Sequence, residues 1–196
     1  MDTDAGPRRA LFIHETIFQP GDVDLDAPGA LAEVHRRLAL DEPRNTQIAE
    51  DVAVALTRGR NCLVPTRRVA QVGALTALLA ARGHQALVLQ GAMSTSERRT
   101  IVHRLDGAKT GDGLLVIGTT PFIGEGFDAP ALDTLFLAGP ISYDGLLVQC
   151  AGRVIRAAPG KDVAEVHDYH DPATPILAAS LPRRMPGYRA LGFTRT

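Results

Sequence analysis

At 196 residues, with 45% hydrophobic and 22% charged positions, the chain can bury one ordinary globular core, so one compact domain with a short tail is expected. A formal net charge of -1 excludes general attraction to polyanions, and any hold on nucleic acid must come from local placement of basic residues, nearly all of them arginine. The two cysteines, Cys62 and Cys150, form no CxxC pair, and the chain has neither a run of about 18 apolar residues nor a secretory leader. Buried packing thiols and a soluble, cytoplasmic protein away from membranes are expected.

After a polar lead at 1–8, Arg9 to Phe18 alternates as a strand does, and Pro20 to Pro28 reads as a loop. Helical spacing follows over Gly29 to Leu40 and over Pro43 to Arg58, where Ile48, Val52 and Leu56 share a face. Strand Cys62 to Val64, helix Arg68 to Arg82 and strand Leu87 to Gln90 come next. A further helix opens at Ser94, which with Glu97 makes a capping box. Strands Leu114 to Ile117 and Thr134 to Ala138 flank a glycine-rich loop, and a short helix within Gln149 to Lys161 precedes a last strand, Val163 to His167.

Strands alternating with helices predict an α/β, three-layer domain over 9–171, with a mainly parallel sheet covered on both faces. The remainder, 172–196, has little periodicity and is expected to pack on the domain or leave it. Ligands of open α/β sheets sit beyond the carboxyl ends of the strands, so the loops after Val64, Gln90, Ile117, Ala138 and His167 should share one functional edge.

The loop Thr119 to Asp133 reads TTPFIGEGFDAPALD. Its threonines can donate to phosphate oxygens, Gly124 and Gly126 allow backbone N–H groups close to a ligand, and Asp128 can accept from a sugar hydroxyl. A tight loop in which glycines turn the chain and Asp128 caps a turn explains the same residues. In QCAGRVIR, Gln149, Gly152, Arg153 and Arg156 fall on one helical face, and guanidinium groups held on a rigid element suit phosphate. A solvated face with both arginines paired to carboxylates is the alternative.

Together, GTTPFIGEGFDAP followed by QCAGRVIR resembles motifs V and VI of the second RecA-like lobe of superfamily 2 helicases. LVPTRR at Leu63 to Arg68 resembles motif IV, and LQGAMSTSERR at Leu89 to Arg99 the stretch after the next strand. The resemblance runs from about Arg9 to Tyr169, and its wording is most similar to bacterial DEAD/DEAH-type proteins of the restriction-subunit and XPB-like groups.

The resemblance implies a RecA-like fold, with Arg156 as arginine finger, Arg153 as a second phosphate contact, and Gln149, Gly124, Gly126 and Asp128 at an ATP site. It implies nucleic-acid contacts from Thr66, Arg67, Gly91 and Thr119, with DNA in preference to RNA as the polymer. No GxxxxGK[ST] loop or Walker B strand occurs, so the implied ATP and Mg²⁺ would be held by an N-terminal RecA-like lobe, in cis or in trans. The chain alone is then expected to hydrolyse ATP negligibly.

Two other readings stand beside this one. A non-catalytic nucleotide- or partner-binding regulatory module would use the same arginine face, and a nucleotide-dependent domain without a nucleic-acid role would show no salt-dependent strand binding. His167 and His170 in HDYHD could suggest a metal site, although a polar loop leaving the strand explains them. His14, His35, His84 and His103 are expected at the surface or at caps.

Overall fold

A computed structural model describes residues 6–91, 93–124, 128–140 and 145–196. Seven strands lie in the order β3-β4-β2-β5-β6-β1-β7, every pairing parallel. The strands are β1 (Arg8–Glu15), β2 (Cys62–Thr66), β3 (Leu87–Leu89), β4 (Leu115–Thr119), β5 (Thr134–Leu137), β6 (Val163–His170) and β7 (Thr194–Arg195). Among the described residues, eight helices connect them: α1 (Ala30–Leu40), α2 (Glu42–Thr57), α3 (Val69–Ala80), α4 (Thr95–Asp106), α5 (Thr120–Gly124), α6 (Leu146–Val154), α7 (Pro175–Ala178) and α8 (Ser180–Ala190).

The central strands β2, β4 and β5 are buried at every position, as a parallel sheet covered on both faces requires. On one face, Ile48 and Val52 of α2 and Leu75 and Leu79 of α3 pack against Val64, Ile117 and Phe136. On the other, Leu105 of α4, Leu147 and Val154 of α6 and Tyr188 of α8 pack against Leu63, Val116, Leu135 and Val166. Cys62 and Cys150 are buried and unbridged, one on each side, and burial pushes the Cys150 thiol up to about 12.

Local chemistry sets the helix starts. Asp41 accepts from the Arg44 backbone N–H at 2.9 Å to cap α2, and Ser94 and Glu97 form both arms of the expected capping box on α4. At the β3–β4 pairing, Gly118 lies opposite Leu89, where an added Cβ would stand 2.4 Å from the Leu89 carbonyl oxygen. Only glycine lets these two backbones meet there.

Three expectations meet the structure here: the tail packs on the domain, one of the two alternatives left open for it, and the other two need correction. Residues 172–196 form α7, α8 and β7, whose β7 pairs in parallel with β1. Sequence periodicity misses α8 because Pro182 and Pro186 interrupt it; a bidentate ion pair from buried Arg184 to Asp168, at 2.7 and 2.8 Å, and a 2.6 Å bond from the Tyr188 hydroxyl hold it down. The stretch after β4 is helical at once, because β4 runs on to Thr119 and α5 starts at Thr120.

His14 is the third. It is half-buried, its Nε2 lies 2.8 Å from Nδ1 of His167, and its ring stacks on His167 and Tyr169. Parallel register places Phe12 and Phe136 on either side of His167, so rings from three strands line one sheet face. Burial is the main cause holding His14 below its ordinary value, with Asp51 opposing and His167 reinforcing the shift.

A charged group lies deeper still. Arg44 is 1% exposed and donates to Asp171 at 2.8 and 3.3 Å and to the Ala138 carbonyl at 2.5 Å. Asp171 also accepts from Thr16 at 2.5 Å, and the Ala138 carbonyl from Gln71 at 3.2 Å. One guanidinium on α2 thereby joins the segments that leave β1, β5 and β6.

Replacing Arg44 by Met leaves the Asp171 carboxylate buried without its counter-charge; we expect urea denaturation to read a loss of about 3–5 kcal/mol. The double variant Arg44→Met, Asp171→Leu should recover most of that loss. Acidification provides a second test, because His35 is held down to about 4, first by burial and then by Arg67 and Arg68. The unfolded chain takes up this proton near 6.5. His35 therefore contributes stability fully above that value and loses it as the pH falls towards 4. His35→Gln should flatten the fall in denaturation midpoint between these limits; an unchanged profile would refute the assignment.

Candidate functional site

Parallel pairing puts the ends of β2 and β4 side by side, and Thr66 and Thr119 are register partners. Both are buried, and the Thr66 hydroxyl donates to the Arg68 carbonyl at 3.2 Å, shaping the turn that lifts Arg67 into solvent. Arg67 donates to the Pro140 carbonyl at 3.4 Å, and Gly139 sits so close that a Cβ there would stand 3.2 Å from the Arg67 backbone nitrogen. Gly91 follows β3 on the same side of the sheet, beside the Phe122 ring of α5. Thr66, Arg67, Gly91 and Thr119 are thus brought together along one edge.

The arginine pair lies elsewhere. Leu147, Cys150, Ala151 and Val154 bury one side of α6, leaving Gln149 exposed and Arg153 half-buried on the other. The helix ends at Val154 with Ile155 as its cap, so Arg156 stands in the following bend and not on the helical face expected from the spacing. The nine residues of α6 run roughly 13 Å away from the strand ends, and the arginines sit at the far end. The loops that follow the strands do share the carboxyl edge of this all-parallel sheet, but the arginines do not lie on it, because the crossover helix α6 returns the chain to the amino side of the sheet before β6.

At that far end the exposed Arg156 donates to Asp128 through Nη1, and both partners are more than half exposed. Arg153 stands within their field: burial lowers its value first, Arg156 lowers it further and Asp128 opposes. Gly124 closes α5 as a helical residue, and Gly126 lies outside the described residues. The segments bearing Asp128 and Arg156 are tied by Lys161, whose buried ammonium donates to the Pro130 carbonyl at 2.9 Å and the Leu132 carbonyl at 2.5 Å. Burial holds Lys161 down to about 8, opposed by Asp133.

Sequence reasoning passed over Lys161, Arg44 and Phe122. A lysine in a chain that has only two, Lys109 and Lys161, among its many arginines was the one available signal, since a point charge with three donors fits convergent carbonyls. His170 is the last residue of β6, and among the described residues no group of three or more His, Cys, Asp or Glu side chains is placed to hold a metal ion. No helix among those residues is long and apolar enough to cross a membrane.

Known proteins share this arrangement of strands. T4 UvsW is similar over 97% of this chain and 41% of its own, with 18% identity and a TM-score of 0.75. The C-terminal domain of the DEAD-box protein Dbp5 is similar over 97% of this chain and 90% of its own, with 14% identity and a TM-score of 0.62. The E. coli DEAD-box protein SrmB, solved bound to regulator of ribonuclease activity A, follows at 91% and 84% coverage, 15% identity and 0.57. Such identities show a common fold, and the chain spans less than half the length of UvsW. No curated protein matches it by sequence. The sequence profile of the helicase conserved C-terminal domain, however, matches residues 46–158, from within α2 to just past Arg156, and covers more than half of the chain. The chain therefore belongs to that family, with the RecA-like fold that these structures share.

Proposed function

We propose that this domain is one lobe of an ATP-dependent helicase or translocase that acts on DNA in the cytoplasm, partnered by an N-terminal RecA-like lobe in cis or in trans. The observation that carries the reading is the exposed guanidinium of Arg156, in the bend just beyond α6 and already engaging a carboxylate oxygen of Asp128. A site that binds one anionic oxygen there suits another, so the residues present fit a nucleotide phosphate.

ATP, bound with Mg²⁺ by the P-loop lobe, supplies the phosphoryl bond whose cleavage drives movement. In this domain Arg156 would exchange Asp128 for a phosphate oxygen as the lobes close, acting as an arginine finger on the charge that builds during transfer. Arg153 would hold a second oxygen, and Gln149 would give a polar contact on the same side. Asp128 and the Gly124–Gly126 stretch would face the nucleotide. Thr66, Arg67, Gly91 and Thr119 would hold the phosphates of a strand across the other end of α6, contacts that position a polymer without reading its sequence.

The Arg156–Asp128 pair also favours a second reading, a regulatory module whose arginines stay paired until an acidic partner displaces the carboxylate. Turnover separates the two. We expect this chain alone to show no ATP hydrolysis and the same chain joined to a P-loop lobe from its own locus to hydrolyse ATP in a strand-stimulated manner. In that two-lobe protein Arg156→Ala should lower turnover by about 1,000-fold or more while strand affinity stays unchanged. Normal turnover with lost strand binding would overturn the assignment, and a joined form without turnover would favour the regulatory module.

A further inference from the structure

Phe122 has no part in the contacts assigned above, yet it stands among them. It is the third residue of α5, close behind Thr119, and its half-buried side chain packs against the core on one side. The tip of its ring reaches Gly91, where an added Cβ would stand 3.1 Å from Cζ. Arg98, in the first turn of α4, lays its guanidinium over the ring at 5.9 Å from the centroid. Beside this pair runs a shallow groove of about 320 Å³ along α4, lined by Thr95, Arg98, Arg99, Val102, His103 and Asp106.

A guanidinium within cation–π range of an aromatic ring makes a polarisable, cationic surface, and unpaired bases stack on aromatic rings and guanidinium planes whatever their identity. A strand gripped only by its phosphates would leave its bases without contact. Here the ring and guanidinium stand next to Gly91 and three residues beyond Thr119, and a groove bearing Arg98, Arg99 and His103 continues from them.

We propose that Phe122 and Arg98 form a base-stacking shelf that takes one unpaired base of a single strand crossing the strand-end edge. This rests on the reading of that edge as a nucleic-acid track and adds to it a preference for unpaired strands. Duplex ends have their bases already stacked, so the shelf would favour single strands over duplex.

The chain contains no tryptophan, so Phe122→Trp provides a single reporting indole. At low salt we expect oligothymidine to quench that indole and an abasic strand of equal length to leave it unaltered. Phe122→Ala should weaken binding of oligothymidine about tenfold and leave the abasic strand unaffected. The unaltered protein, with a strand carrying 2-aminopurine, should change the fluorescence of that base, which makes the test independent of any variant. If the unaltered protein binds oligothymidine and abasic strands equally, with no fluorescence change in either format, the shelf is refuted while the phosphate track stands. Preference for duplex would also refute the shelf. Failure to bind any strand at low salt would remove the track itself, and the shelf with it.

Discussion

Arg44 is the group on which the working edge of this domain depends. Moving a guanidinium and a carboxylate out of water is costly, and the cost is offset only when their hydrogen-bonding capacity is used. Arg44 meets that condition with Asp171 and the Ala138 carbonyl, while Asp171 also takes the hydroxyl of Thr16. Because those partners belong to the segments leaving β1, β5 and β6, one side chain from α2 sets where three strands end. Asn45 and Gln71 extend the network by a 3.1 Å bond between them, which brings α3 into the same unit.

A second buried pair works from the opposite layer. Asp168 accepts two bonds from Arg184 and one from Tyr188, so β6 is fastened to α8 on that side while Asp171 just beyond it is fastened to α2. The domain thus holds both of its helical layers to one strand through charge as well as apolar packing. Removing either carboxylate's partner would leave a charge in a dry interior, which is why such pairs specify a single arrangement more strongly than oil-like contacts do.

The two candidate contact areas are separate but lie on neighbouring elements. Thr119 ends β4 and Thr120 opens α5 without an intervening loop, and α5 packs against α6, whose far end leads to Arg156. Lys161 then ties the arginine-bearing segment to the one that carries Asp128. A change at the strand edge and a change at the arginine pair therefore share two short helices and one buried ammonium.

Much of this was legible in the chain itself. Alternation of short apolar runs with helical spacing specified the parallel sheet, since only that topology buries both faces of such strands, and the Ser94–Glu97 cap and the buried state of both cysteines follow from local chemistry. The motif wording around Thr119 and Arg153 pointed to the family. What local patterns could not carry was any pairing across long stretches of sequence: Arg44 with Asp171, His14 with His167, Arg156 with Asp128 and Lys161 with Pro130. Nor could they carry the ending of α6 at Val154 or the recruitment of 172–196 into the sheet. Periodicity records which side of an element is apolar, and that is enough to choose a fold; the partner of a charge is chosen by distance in space, which only the packed layers decide.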